Sequence, residues 1–208
     1  MKKALKALIL TLSILVATGI SSVVYAQDTT NYTVKAGDSL WKICVQFKVG
    51  VSEIIAANPQ ITNPNKISPN QIIKIPSSTE ATALEGQVVV LVNKERLKVG
   101  LAPLKANWEL ARVARIKSQD MIDKNYFSHT SPTHGSPFDM MSNFGIKYMS
   151  AGENIAYGQP TPTSVMTSWM NSAGHKANIL NKTYTEIGVG IAKKSNGTIY
   201  WTQQFIGN

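Results

Sequence analysis

The chain has 208 residues, 43% hydrophobic content, one cysteine and a formal charge of +9. The lone Cys44 excludes an internal disulfide, so each folded unit must rest on a packed core, which the apolar share allows. The basic balance suits an anionic wall polymer or membrane surface, and the absence of lysine runs interleaved with aromatics argues against nucleic acid as a partner.

Residues 1–26 read as a secretory signal peptide rather than as fold. Lys2, Lys3 and Lys6 form the positive start, Ala7 to Ile20 is an uncharged run too short to span a bilayer comfortably, and Val24-Tyr25-Ala26 offers a cleavage site. This segment holds three of the 21 basic residues and none of the 12 acidic ones, so +6 remains after its removal. A short segment, 27–31, leads into the first domain.

Residues 32–76 form a unit of strand, helix, helix, strand. Tyr32 to Val34 is the first strand. Leu40, Ile43, Cys44 and Phe47 recur on one helical face, with Ser39 or Asp38 as the cap. Ser52 is expected to open a second helix stopped by Pro59, and QIIKIP closes the unit. Cys44 reads as a small buried side chain. Residues 77–83, SSTEATA, read as a flexible linker.

Residues 84–208 form the second domain. Leu84, Val88, Leu91 and Val92 share one helical face. Leu110, Val113, Ala114, Lys117 and Met121 mark a second helix in which Lys117 is the weak point of the apolar stripe. Ser136-Pro137 and Thr161-Pro162 open two more helices, the latter expected to end at Gly174. Two strands follow: Ile187, Val189 and Ile191 alternate with Gly188 and Gly190, Asn196-Gly197 turns the chain, and Ile199 to Phe205 return. The paired glycines predict close approach of a helix to the sheet. The class is α+β.

No standard hydrolase motif is present. The chemistry-bearing residues of the second domain are His129, Glu153, His175 and Glu186, each expected at the edge of an element, where convergent sites are built. If they meet, three roles are open. They could bind a divalent metal such as zinc through His129 and His175, form a carboxylate-oriented imidazole that activates water, or brace the loops without chemistry. Ser128 beside His129 reads as a turn residue, His134 as surface, and Trp169 and Trp201 as core.

Two resemblances add to this. YTVKAGDSLWKI, the NP at 58–59 and QIIKIP resemble the LysM module over its whole length, with Asn70 where the family commonly has glycine. That implies binding to N-acetylglucosamine polymers, peptidoglycan or chitin-like glycans, in a groove between Gly37, Asp38, Ser39 and Leu40 on one side and Asn58, Pro59 and Ile61 on the other. LVNKERLKVGLAPL, YFSHTSP, GSPFDMM, AGENIAYG, GHKANIL, YTEIGVGIA and YWTQQF resemble the CAP, or SCP-like, superfamily. That implies an α-β-α sandwich whose cleft holds a tetrad, here His129, Glu153, His175 and Glu186, with a divalent metal in some members. The combination implies a secreted protein associated with the cell wall. Its function is then wall binding with a cleft for metal or ligand, wall-directed hydrolysis, or a structural place in a spore envelope.

Overall fold

A computed structural model describes residues 29–76 and 80–208. The signal-peptide expectation lies outside these residues. Among them, no helix is long and apolar enough to cross a membrane.

The first domain runs β1 (Thr29–Thr33), α1 (Leu40–Phe47), α2 (Val51–Ala57) and β2 (Ile72–Pro76). The strands pair antiparallel, Thr29 opposite Pro76 and Thr33 opposite Ile72, so β1 begins before the expected Tyr32. Ser39 caps α1 by accepting from Lys42 N. The second helix starts one residue earlier than expected, at Val51, with the Glu53 carboxylate accepting from Gly50 N. Leu40, Ile43, Cys44, Ile54, Ile61, Ile73 and Ile75 make one small core. Burial pushes the Cys44 thiol up to about 11, so it stays an inert apolar group. Asn70 takes a left-handed backbone, φ 70°, as the missing glycine requires.

The second domain runs α3 (Glu80–Lys98), β3 (Lys105–Ala106), α4 (Trp108–Asp123), α5 (Pro137–Asn143), β4 (Ser150–Tyr157), α6 (Pro162–Met170), α7 (Ala173–Ile179), β5 (Glu186–Lys193) and β6 (Ile199–Gly207). The strand order is β3-β5-β6-β4. Helices α4 and α5 cover one face, and α3, α6 and α7 the other, which gives the expected three-layer sandwich. Trp169 and Trp201 lie in the core of the second face, both essentially buried.

Four expectations are corrected. Residues 80–83, assigned to the linker, form the first turn of α3. The helix opened by Thr161 ends at Met170, and a separate α7 carries Gly174 and His175. SAGENIAY is a full strand, β4, so Glu153 lies inside an element rather than at its edge. The strand lacks alternation because both its faces are covered, so small and polar residues occupy buried positions. The sheet also gains β3, which pairs parallel with β5.

The glycine expectation holds. A Cβ at Gly188 would collide with the backbone of Leu110 and Ala111, and one at Gly190 with Ala114 and Arg115. Glycine therefore lets α4 lie directly on β5.

The domains touch, although the linker reading gave them freedom of orientation. The outer stripe of α4 faces the first domain. Trp108 meets Trp41, with ring centroids 6.3 Å apart, and Arg112 lies 5.9 Å from the Trp41 ring. Arg115 contacts Glu53 at 3.2 Å while its Nη2 and Nε grip Glu85 at 2.7 and 2.9 Å. Burial pushes the Glu85 carboxyl up, against the pull of Arg115.

Candidate functional site

The second-domain site is built around β4, the edge strand. Glu153 and Asn154 are adjacent and point to opposite faces. Glu153, paired with Gln204 on β6, lies on the α4 face with its side chain 1% exposed. Its Oε1 is 2.9 Å from His129 Nδ1, and its Oε2 accepts from Gln204 Nε2 at 3.1 Å. With Glu153 ionised its carboxylate can only accept, so Nδ1 is the donor, and in the neutral ring Nε2 then keeps a lone pair. The His129 side chain is 51% exposed, which leaves Nε2 open to solvent.

What holds His129 there is a network under its loop. Lys117, on the inner face of α4 and buried, donates to Ser128 O at 2.8 Å, His129 O at 2.7 Å and Tyr126 Oη at 3.0 Å. Tyr126 and Ser131 then donate to Asp120 Oδ2 at 2.6 and 2.7 Å. Burial alone would raise the Asp120 carboxyl, but these donors hold it below the ordinary carboxylate value. Burial pushes the Lys117 ammonium down, opposed by Glu153 and Asp120. The residue that breaks the apolar stripe of α4 is therefore the anchor of the site loop.

On the other face of β4, Asn154 Nδ2 donates to His175 O at 3.0 Å and to Gln203 Oε1 at 3.1 Å. Asn178 Nδ2 donates to Glu153 O at 3.2 Å and to Asn154 Oδ1 at 2.9 Å. These bonds fix α7 against the strand. Desolvation and the neighbouring charge of His129 push the His175 imidazole below its ordinary value. The two rings are thus in electrostatic reach of each other.

Glu186 does not join them. It starts β5, two strands from β4, and accepts from Asn107 Nδ2 at 2.7 Å and from Asn208 Nδ2 at 3.5 Å. Asn107 caps α4 through Leu110 N, so Glu186 steadies that cap. The tetrad expectation reduces to a His129–Glu153 pair with His175 beside it.

A catalytic zinc centre needs three protein ligands and an open position. Among the described residues no group of three or more His, Cys, Asp or Glu could hold a metal ion. Both Glu153 oxygens are already engaged. The residues do not fit a three-ligand metal centre. The arrangement fits an oriented base, in which a buried carboxylate fixes the imidazole and the outer nitrogen can take a proton.

Sequence reasoning missed Lys117, Asp120, Tyr126, Asn154, Asn178 and Gln204 as parts of the site. Polar residues on helix and strand positions that should be apolar were the available signal, and Lys117 was visible as one.

The first-domain groove has a different makeup. Gly37 takes φ 82°, a conformation that glycine adopts without strain. Asp38 Oδ2 accepts from Tyr32 Oη and from Lys35 N, both at 2.8 Å, and these bonds hold its carboxyl below the ordinary value. Leu40 and Ile61 are buried in the same core, and Pro59 is exposed. Asn58 is wholly buried: its Nδ2 donates to Ile54 O and Lys74 O, and its Oδ1 accepts from Lys74 N and Gln60 Nε2. Its side chain braces the module and is spent there. The surface left for a ligand is backbone and exposed loop.

Comparison with known proteins fits both units. The model of the cysteine-rich secretory protein (CAP) family matches residues 89–205, more than half of the chain. The chain belongs to the CAP family. Its CAP domain holds no cysteine, since Cys44 lies in the first domain. A LysM model matches residues 32–76. YkwD of Bacillus subtilis is 58% identical over 138 residues, 66% of this chain and 52% of YkwD. The crystal structure of an extracellular SCP-domain protein from Bacillus anthracis is 34% identical, with a TM-score of 0.58, covering 67% of this chain and 47% of that one. An endolysin of Bacillus phage PZA is 48% identical over 44 residues, 21% of this chain and 17% of the endolysin. The chain spans about half the length, or less, of these relatives.

Proposed function

We propose that this is a secreted protein held on the cell wall by its LysM module, which binds N-acetylglucosamine polymers, while the CAP domain offers the His129 cleft to a ligand. The match of the LysM pattern over the whole unit 32–76 carries this reading. The basic balance, suited to an anionic wall, and the extracellular SCP-domain relative support it. The groove would take acetamido groups on backbone polar groups of the Gly37–Ser39 turn, with Pro59 on the opposite lip. The test is to incubate the full secreted chain with purified peptidoglycan sacculi. It sediments with them and is released by soluble N-acetylglucosamine oligomers; a protein that stays in the supernatant contradicts the reading.

One observation favours a second reading, a wall-directed hydrolase: the His129 ring is oriented by a buried carboxylate and keeps its outer nitrogen free. His129 would then take a proton from water as it attacks a carbonyl, with Glu153 stabilising the imidazolium. Turnover of wall peptides that survives unchanged in both His129→Ala and Glu153→Gln removes this reading. A place in a spore envelope is a narrower form of the first reading, and vegetative-only localisation removes it.

A further inference from the structure

The CAP domain carries a cluster of exposed rings that the His129–Glu153 pair does not use. Phe127 and Tyr157 are 45% and 51% exposed, and their centroids are 4.7 Å apart in an edge-to-face contact. Tyr200 backs both, stacked on Tyr157 at 5.4 Å and 6.5 Å from Phe127. Lys194 Nζ lies 5.3 Å from the Tyr200 ring. Large rings left half in water, yet fixed by one another, form a preorganised surface.

Its position ties it to His129 and Glu153. Glu153, Ile155 and Tyr157 alternate onto one face of β4, opposite Gln204, Thr202 and Tyr200 of β6. Tyr157 is thus roughly 13 Å along the strand from Glu153 at the usual rise per residue. Phe127 is two residues from His129 in the loop that Lys117 anchors. Because β4 is the edge strand, this surface opens sideways to solvent.

We infer that Phe127 and Tyr157, backed by Tyr200 and Lys194, form a glycan subsite that stacks a sugar ring of an N-acetylglucosamine polymer and leads the strand to His129. The polar edge of these rings selects a sugar over a lipid. Among the described residues the Tyr157 and Tyr200 hydroxyls make no hydrogen bond, so the apolar faces are edged with free hydroxyls, as a hydroxyl-rich ring requires. Lys194 adds positive charge at the Tyr200 ring, which complements the acidic groups of an anionic wall polymer. The choice of glycan rests on the LysM reading above.

The experiment is an NMR titration of the isotope-labelled full secreted chain with tetra-N-acetylglucosamine. It follows the ring resonances of Phe127 and Tyr157 beside the amides of Gly37 and Ser39. Saturable shifts in both sets are expected. Shifts at Gly37 and Ser39 with still rings overturn the subsite and leave the LysM reading intact. Ring shifts without amide shifts uphold the subsite and sink the LysM groove. Tyr157→Ala removes a half-exposed ring, so the fold is retained. It should weaken binding read at Phe127 roughly tenfold, about the free energy of one lost ring contact, with Gly37 and Ser39 unaffected. An unchanged Phe127 isotherm, or ring shifts that lipid micelles produce and the sugar does not, overturns the assignment.

Discussion

The two candidate sites spend their polar side chains in opposite ways. In the LysM module Asn58 and Asp38 turn inward or along the backbone, and each is consumed in holding a turn. What remains for a ligand is main chain. In the CAP domain a layered set of side chains, Asp120, Tyr126, Lys117, Glu153 and Gln204, converges beneath one ring and leaves its outer nitrogen free. The first design suits recognition of a repetitive polymer, where shape and backbone contacts suffice. The second suits a single reactive or hydrogen-bonding point, which needs a fixed tautomer.

The contrast breaks most visibly at Lys117. Lys117→Met keeps the volume but leaves three acceptors unpaired next to two carboxylates, and should cost about 4 kcal/mol in urea unfolding. It should also mobilise the Tyr126–His129 loop. A loss under one kilocalorie per mole, on the order of a surface substitution, would mean that the network is not holding the His129 loop.

Between the sites, Arg115 tests whether the domains are fixed to one another. Arg115→Ala strands the buried Glu85 carboxylate and should cost about 3 kcal/mol, whereas Glu53→Gln, which removes the charge of the partly exposed inter-domain contact and keeps an amide oxygen to accept from Gly50 N, should cost less than about 1 kcal/mol. Small-angle scattering should show a looser pair of domains in the first variant. Equal effects would place the weight on the inter-domain bond instead.

In the LysM module, Asn58→Ala deletes four hydrogen bonds in a buried position and should destabilise that module by about 2 kcal/mol. Calorimetry should show the CAP transition unmoved. A shift of both transitions together would show that the two units unfold as one.

The smallest effect concerns pH. The His175 imidazole is held below its ordinary 6.5 by burial and by His129. A depressed folded value means that stability is full above 6.5 and falls as the pH drops through the folded value. His129→Ala removes one cause, so the NMR titration of His175 should move upward and the acid slope should flatten. A His175 titration that does not move would place the two rings too far apart to interact.

The sequence made the LysM module legible almost residue by residue, because its elements are short, capped and apolar on one side: Ser39, the Leu40–Phe47 face and the left-handed turn at Asn70 all stand as read. In the CAP domain the Gly188 and Gly190 pair showed the helix–sheet contact, and Ser136 and Thr161 gave helix starts. What stayed hidden was β4. Its buried positions carry glutamate and asparagine, so neither periodicity marks it, and only the satisfied hydrogen bonds of the folded state make it a strand. The site followed the same rule. His129 and Glu153 were legible as candidates, but the buried groups that orient them read as defects in apolar patterns. Glu186 looked like a fourth member because it too sits at a strand end. Its partner, Asn107, is a helix cap 79 residues away in the chain.

The most direct test is the ring nitrogen spectrum of His129 at a pH where the imidazole is neutral. If Glu153 holds the ring as described, the wild type shows the proton on Nδ1 and an unprotonated Nε2, and Glu153→Gln collapses this to a mixture of tautomers. A wild-type ring protonated on Nε2, or one indifferent to that substitution, would mean that the buried carboxylate does not set the imidazole and that His129 is not an oriented base.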